Sequence, residues 1–285
     1  MMEGKSDQRV RLDTLDAREA GRLLTGMMAT LSPEREYELR HEDYVMEMPQ
    51  SGERFRGRDN VRAFQEAFTD HSAPPTIRLR RLIVKENLWI VESVINYGGP
   101  VLHGAAILEI RDGKWWRDTR YFAEPFEPPA WRAQWIERMG PEETAPAGSQ
   151  RTTDADEIRE SVDRQFAMMQ AGDFAGAHAW YDESVVVEWP QSGERIRGKK
   201  NLLALREAYP SGVEFEVRRL ITRPDLGVCE YVIRYDGRPV HALGIVEFGD
   251  GRVVRETHYF ADPFEPPEWR ARWVERMEGS DNGSG

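Results

Sequence analysis

Residues 119–139 read TRYFAEPFEPPAWRAQWIERM and residues 257–277 read THYFADPFEPPEWRARWVERM, with sixteen of twenty-one positions identical. A second match joins PQSGERFRG at 49–57 to PQSGERIRG at 190–198, and it is broken only at Phe55 against Ile196. Similarity that recurs at a long, nearly constant spacing indicates that one structural unit is repeated along a chain. The 285 residues therefore contain two copies of one domain.

The segment between the copies, GPEETAPAGSQRTTDADE, is rich in Pro, Gly, Thr and acidic residues, which is typical of a linker. We expect a first domain at 17–139, a linker at 140–155 and a second domain at 156–278. The polar segments 1–16 and 279–285 are predicted to be disordered.

Within each copy, helices precede strands. In the second copy, IRESVDRQFAMMQAGD has helical hydrophobic spacing and ends at Gly172, and FAGAHAWY and KKNLLALREAY predict two more helices. SVVVEWP predicts a strand, and four further strands are expected near 213–222, 227–236, 239–248 and 252–261. Helices followed by a run of antiparallel strands indicate an α+β fold.

Composition excludes several classes of protein. The balance of 39 basic and 50 acidic residues gives a net charge of −11, which offers no broad basic face for nucleic acid. No apolar run is long enough to cross a membrane, and the charged start lacks the apolar core of a signal peptide, so we expect a cytoplasmic protein. Metal-ligand, phosphate-loop and serine-hydrolase motifs are missing, so we predict neither a metal site nor a cofactor.

The stretch QAGDFAGAHAWYDESVVVEWP at 170–190, with the three helices and the later strands, resembles the SnoaL-like branch of the nuclear transport factor 2-like superfamily. The PQSGERxRG and YFA(E/D)PFEPPxWR motifs resemble an uncharacterised SnoaL-like subgroup. The resemblance covers both copies. It implies two cone-shaped domains, each with three helices packed on a curved antiparallel sheet around a pocket for a small hydrophobic molecule.

The resemblance also allows one mechanism of the superfamily to be tested. Ketosteroid isomerases carry a catalytic Asp immediately before the proline that ends the first strand, where this chain has Met48 and Trp189. Their oxyanion-hole tyrosine aligns with Gln165, and their protonated acid falls near Ala106 and Gly244. All three functions are lost at these positions, so we reject isomerisation by that route.

Alternation along the strands predicts which side chains line each pocket. The wall of the first copy comprises Tyr44, Met46 and Met48, and that of the second comprises Val185, Val187 and Trp189. The last strand of each copy is expected to turn an ionisable pair and a phenylalanine inward: Asp118, Arg120 and Phe122 in the first copy, and Glu256, His258 and Phe260 in the second.

The two acids are the candidate proton carriers, because SnoaL-like cyclases resemble this arrangement in pairing a late-strand carboxylate with a histidine. Apolar surroundings are expected to raise the pKa of such a carboxylate toward neutrality. His258 and His241 are candidate catalytic partners and His103 is a candidate ligand contact, although strict alternation puts His103 and His241 on the outer face unless a bulge intervenes. An ion pair between Asp118 and Arg120 is the structural alternative.

Three other repeated features are assigned structural roles. Glu47 and Glu188 have the opposite strand parity and are expected to pair with Arg54 and Arg195 or to lie at a domain interface. PQSGER is interpreted as a turn that could border the pocket. We call the similar segments 119–139 and 257–277 the tails of the two copies. The tryptophans of each tail share one face of a short helix and are expected to pack on the sheet or on the other copy: Trp131, Trp135, Trp269 and Trp273.

Three functional hypotheses follow. The first is a cofactor-independent lyase, isomerase or cyclase that transfers protons on an apolar carbonyl compound. The second is a non-catalytic binding protein for a hydrophobic metabolite, and the third is an epoxide hydrolase, because Asp118 and Arg120 resemble part of the Asp-Arg-Asp arrangement of limonene epoxide hydrolase. Fusion of two copies predicts a monomeric chain that forms an intramolecular pseudo-dimer.

Overall fold

The computed structural model describes residues 10–68, 70–140, 151–209 and 213–277. These residues form two compact units. One comprises residues 10–68, 70–100, 106–120 and 266–277, and the other comprises residues 101–105, 121–140, 151–209 and 213–265. We call them the first and second units. The disorder expected at 279–285, and the middle of the expected linker, fall outside the described residues.

Each copy contains three helices, as the sequence predicts, and two strands lie between the second helix and the third. The helices are α1 (Ala17–Thr30), α2 (Pro33–Leu39) and α3 (Arg58–Phe68) in the first copy, and α4 (Ala155–Gln170), α5 (Phe174–Ala177) and α6 (Lys199–Glu207) in the second. Side chains cap the long helices: Asp16 and Glu19 form a reciprocal capping box at α1, and Asp154 accepts from two backbone amides at α4. Leu12, inside the segment 1–16 for which disorder is expected, is fully buried in a 3₁₀ helix.

Fourteen strands are found among the described residues. The first copy contributes β1 (Arg40–Met48), β2 (Glu53–Arg56), β3 (Thr76–Lys85), β4 (Leu88–Asn96), β5 (Val101–Arg111), β6 (Lys114–Ala123) and β7 (Glu137–Arg138). The second contributes β8 (Tyr181–Trp189), β9 (Glu194–Arg197), β10 (Val213–Arg223), β11 (Leu226–Tyr235), β12 (Arg238–Gly249), β13 (Arg252–Ala261) and β14 (Glu275–Arg276). The expected α+β fold is confirmed.

The strands form two seven-stranded sheets, ordered β14-β2-β1-β6-β5-β4-β3 and β10-β11-β12-β13-β8-β9-β7. One pair in each sheet departs from the expected antiparallel arrangement, because β1 runs parallel to β6 and β8 runs parallel to β13. The parallel register sets Met46 beside Asp118 and Val187 beside Glu256. Each acid thus lies next to the first strand of its own copy.

The two-residue strands show that the tails are exchanged. β14 follows the second copy in sequence but pairs with β2 in the first unit, and β7 follows the first copy but pairs with β9 in the second unit. The 3₁₀ helices Ala130–Trp135 and Glu268–Trp273 precede these strands. Each unit is therefore completed by the tail of the other sequence repeat.

Candidate functional site

Glu256 is the centre of a buried polar network in the second unit, and only 1% of it is exposed. The hydroxyl of Tyr181 donates a hydrogen bond to its Oε1 atom, and His258 Nε2 lies 3.1 Å from its Oε2 atom. Gln165 from α4 donates to the Tyr181 hydroxyl and lies 3.5 Å from Oε1. Both carboxylate oxygens of Glu256 are therefore bound.

The charge state of Glu256 differs from the expectation of a raised pKa. Burial alone raises the pKa of this carboxyl, but the hydrogen bond and charge of His258, the charge of Arg206 and the hydrogen bond of Tyr181 outweigh burial and lower it to about 2. The Arg206 guanidinium lies 4.0 Å from Oε2. Glu256 is thus an ionised carboxylate at neutral pH and too weak a base to take a proton from carbon.

The ionised carboxylate fixes the protonation of His258. Because a carboxylate only accepts hydrogen bonds, the Nε2 atom of His258 carries the proton that faces Glu256, and in the neutral ring Nδ1 carries the lone pair. Nδ1 lies 3.3 Å from the hydroxyl of Tyr231. Burial raises the pKa of Tyr231, so this hydroxyl keeps its proton and acts as a donor. The result is a chain from Tyr231 through His258 to Glu256.

The β12 strand places His241 away from this chain, contrary to its candidacy as a catalytic partner. Register pairs Gly244 with His258 and Val246 with Glu256, so residues of even number on β12 share the face of the site. His241 pairs with Ala261 and has the opposite parity, which is the outer face that strict alternation predicts. The register between β12 and β13 shifts after Glu247, which lies beyond this segment, so the shift does not bring His241 to the inner face. His103 occupies the equivalent position in the first copy.

The predicted apolar wall of the second unit is buried. Val187 and Trp189 belong to its hydrophobic core, and Phe260 packs against that core. The Phe260 ring lies nearly parallel to the His258 ring, with 6.2 Å between centroids. Trp189 also receives the Arg132 guanidinium over its ring at 4.8 Å. Apolar and aromatic surfaces thus flank the Glu256–His258 pair.

The first unit has a different arrangement around its acid. Asp118 Oδ2 accepts from the Tyr44 hydroxyl at 2.8 Å and from Arg120 Nε and Nη2 at 2.9 and 2.6 Å. Asp118 and Arg120 therefore form the ion pair that the sequence left open as the structural alternative. Met46 and Met48 are buried on the same strand as Tyr44. Phe122, near the end of β6, is half-buried and belongs to the second unit.

The two acids are held by tyrosines from different strand positions. Tyr44 aligns with Val185, whereas Tyr181 aligns with Arg40 at the start of β1. Sequence reasoning included Tyr44 in the pocket wall but missed Tyr181, and it missed Arg206 and Tyr231 altogether. Tyr181 has the same parity as Val185, so extending the alternation by four residues would have found it.

The recurring glutamates and the PQSGER motif have structural partners. Glu47 binds Arg54 and Arg117, and Glu188 binds Arg195, as the parity argument predicts. In PQSGER, Ser51 donates to Glu53, and the equivalent Ser192 donates to Glu194. These two glutamates bind arginines of the exchanged tails, so the motif anchors tails in addition to forming a turn.

Within the described ranges, no group of three or more His, Cys, Asp or Glu side chains is placed to hold a metal ion. In the same ranges, no helix is both long and apolar enough to span a membrane.

A model of the SnoaL-like domain matches the chain twice, at residues 22–118 and 162–256. The chain belongs to the SnoaL-like domain family. The two matches fall one in each sequence copy, which confirms the tandem arrangement. No curated protein matches the chain.

Several solved structures are similar to one copy of this SnoaL-like chain. An NTF2-like protein of unknown function from Burkholderia xenovorans LB400 has 45% identity over 43% of this chain and 96% of its own, with a TM-score of 0.41. A protein provisionally assigned as a ketosteroid isomerase from Kribbella flavida DSM 17836 has 26% identity over 45% and 94%, with a TM-score of 0.42. An epoxide hydrolase of the LEH-like type from M. tuberculosis has 22% identity over 37% and 84%, with a TM-score of 0.33.

Proposed function

We propose that the second unit catalyses proton transfer on an apolar carbonyl compound, with His258 as the proton carrier. The observation that carries this proposal is the 3.1 Å contact between His258 Nε2 and the ionised Glu256, which leaves Nδ1 as the basic nitrogen. Glu256 changes role from the base expected from sequence to the group that orients the imidazole. It also stabilises the imidazolium that forms when Nδ1 takes a proton.

The proposed step needs only groups of this chain. Nδ1 takes a proton from the carbon next to the substrate carbonyl, the C–H electron pair moves toward the carbonyl oxygen, and an enolate forms. The Tyr231 hydroxyl, which faces Nδ1 at 3.3 Å in the free protein, turns to donate a hydrogen bond to that oxygen. Return of the proton to a different atom completes an isomerisation or supports a cyclisation.

The first unit lacks the features of this reaction. Asp118 is bound to the guanidinium of Arg120 at the position where the second unit has a histidine, and a guanidinium does not give up its proton in proteins. Proton transfer is therefore assigned to the second unit alone.

The test is deuterium incorporation from D₂O into the α-carbon of cyclohexanone, 1-indanone and 1-tetralone, followed by ¹H NMR with the full chain. We expect catalysed exchange that falls by about 100-fold or more in His258→Gln, as is usual when a general base is removed. His241→Gln is the matched control, because this histidine lies on the opposite face, and it should retain the wild-type rate.

Equal exchange by wild type and His258→Gln would overturn the assignment. If wild type exchanges none of the three ketones and native mass spectrometry recovers one unmodified ligand from the purified chain, the non-catalytic binding hypothesis replaces it.

A further inference from the structure

The two carboxylate oxygens of Asp118 are used unequally. All three hydrogen bonds that reach this side chain, from the Tyr44 hydroxyl and from two nitrogens of Arg120, end on Oδ2. Oδ1 is buried and accepts no hydrogen bond from any residue in the described ranges. By contrast, both oxygens of Glu256 are bound in the second unit.

An unsatisfied oxygen on a buried carboxylate needs a physical explanation. Leaving such an acceptor without a donor costs about 1–3 kcal/mol, and more when the group is charged, so native folds rarely retain one without a role. The fold supplies three donors to Oδ2, and these contacts fix the orientation of the carboxylate and therefore the position of Oδ1. This is the arrangement expected where a donor from outside the chain completes the shell.

Arg120 provides a second group at the same place. Its Nε and Nη2 atoms bind Asp118, so Nη1 takes no part in the ion pair. The Arg120 side chain is 32% exposed, whereas that of Asp118 is only 2% exposed. A molecule arriving from solvent therefore meets the guanidinium first and the carboxylate behind it.

The charges around this acid are already balanced. Asp118 and Glu36 carry two negative charges, and their ion-pair partners Arg120 and Arg40 carry two positive charges. A neutral molecule keeps this balance, whereas an anion adds an unpaired charge. Met46, which lies beside Asp118 in the strand register, supplies apolar surface for the remainder of such a molecule.

From these observations we infer that the first unit is a second binding site, separate from the Glu256–His258 pair, for a neutral α-hydroxy ketone. The hydroxyl of the ligand donates to Asp118 Oδ1, and its carbonyl oxygen accepts from Arg120 Nη1. The site binds without proton transfer, since Asp118 is paired with the guanidinium of Arg120. The inference does not depend on the reaction proposed for the second unit.

The experiment uses the full chain and two matched probes, α-hydroxyacetophenone and its methyl ether α-methoxyacetophenone, titrated by isothermal calorimetry. The ether keeps the ring and the carbonyl but has no hydroxyl donor. Loss of a hydrogen bond to a charged group should weaken binding by about 10-fold or more. Equal affinity for the two probes would overturn the inference.

Variants assign the binding to one unit. Asp118→Asn should abolish the preference for the hydroxy ketone, and Arg120→Met should weaken the binding of both probes, because both probes contain the carbonyl. Glu256→Gln should keep the preference. Loss of the preference in Glu256→Gln together with its retention in Asp118→Asn would place the ligand in the second unit and overturn the inference.

A further measurement keeps Asp118 and Arg120 unchanged, so it does not depend on whether their variants fold. The ten methionines are labelled with ¹³C at the methyl group and observed by NMR. The methyl signals of Met46 and Met48, which are assigned with the variants Met46→Leu and Met48→Leu, should shift when α-hydroxyacetophenone is added. Met169, buried in α4 of the second unit, is the internal control. A shift confined to Met169 would contradict the inference.

Discussion

The guanidinium of Arg270 forms a two-point ion pair with the carboxylate of Glu53, which precedes it by 217 residues, and both side chains are buried. Arg132 and Glu194 repeat this contact in the second unit, 62 residues apart. The two pairs fasten the exchanged tails to the PQSGER turns. Aromatic stacking adds to the first contact, because the Trp269 ring lies parallel to Phe64 at 5.6 Å.

Removal of the tail arginine should destabilise the first unit strongly. Arg270→Ala leaves Glu53 charged and buried without its partner, and the expected loss in the free energy of unfolding is about 3–5 kcal/mol. Urea unfolding of the full chain measures it. Arg272→Ala is the matched control, since this arginine is exposed on the same short helix and its guanidinium lies over the Trp273 ring. The expected loss is about 1 kcal/mol or less. Equal losses in the two variants would contradict the role of the ion pair.

The lowered pKa of Glu256 makes a specific prediction for stability against pH. Its folded value of about 2 lies below the ordinary 4.5, so the ionised carboxylate contributes stability that is fully present above pH 4.5 and is lost as the pH falls through about 2. The shift corresponds to roughly 3 kcal/mol. The difference in unfolding free energy between wild type and Glu256→Gln should therefore shrink as the pH is lowered through this window.

Glu160→Gln, an exposed change on α4, is the control for that series and should follow the wild-type curve. A Glu256→Gln difference that stays constant from pH 7 to pH 2.5 would show that Glu256 is not held ionised by its neighbours.

The site was only partly predictable from sequence, for reasons that differ between residues. Alternation correctly placed Glu256 and His258 on one face and Glu47 on the other, because a strand has a fixed period of two. The direction of the Glu256 pKa was wrong, because the hydrogen bond and charge of His258, with Arg206 and Tyr181 added, outweigh burial. Arg206 and Tyr181 reach the carboxylate from a helix and from another strand, and no local pattern reports such contacts. The tail exchange was equally hidden, since two tails that share sixteen of twenty-one positions fit either copy.

A small substitution tests access to the basic nitrogen of His258. A Cβ atom at Gly244 would lie 3.4 Å from Nδ1, an ordinary contact distance, and the first copy has Ala106 at this position. Gly244→Ala should change the free energy of unfolding by less than about 1 kcal/mol. It should nevertheless slow α-deuteration of the ketone probes by about 10-fold or more, because the methyl group occupies the space beside Nδ1.

Gly26→Ala adds the same methyl group on a helix at a place where only the adjacent backbone and chain neighbours lie within 4 Å, and it should leave the deuteration rate unchanged. If Gly244→Ala is as active as Gly26→Ala, the substrate does not approach His258 from this side.

The hydrogen bond from the Tyr44 hydroxyl to Asp118 should stabilise the fold as much as other hydrogen bonds to charged groups do. Tyr44→Phe removes the 2.8 Å contact to Oδ2 and keeps the ring over which the Arg40 guanidinium lies at 5.0 Å. We expect a loss of about 1.5–3 kcal/mol in the free energy of unfolding. Tyr37→Phe, which keeps the ring that faces Arg58 and Arg62, is the matched control and should cost less than about 0.5 kcal/mol. Equal costs would mean that Asp118 does not depend on the Tyr44 hydroxyl.

The crossed pairing of β14 with β2 and of β7 with β9 has a consequence for the inheritance of this chain. If the two repeats were encoded as separate polypeptides, each piece would carry the segment that completes its partner's fold, and the pair should reassemble by fragment complementation. A gene that loses one repeat also loses the tail that completes the sheet of the remaining repeat. The two repeats must therefore be retained together in evolution, even while the residues around their buried acids diverge.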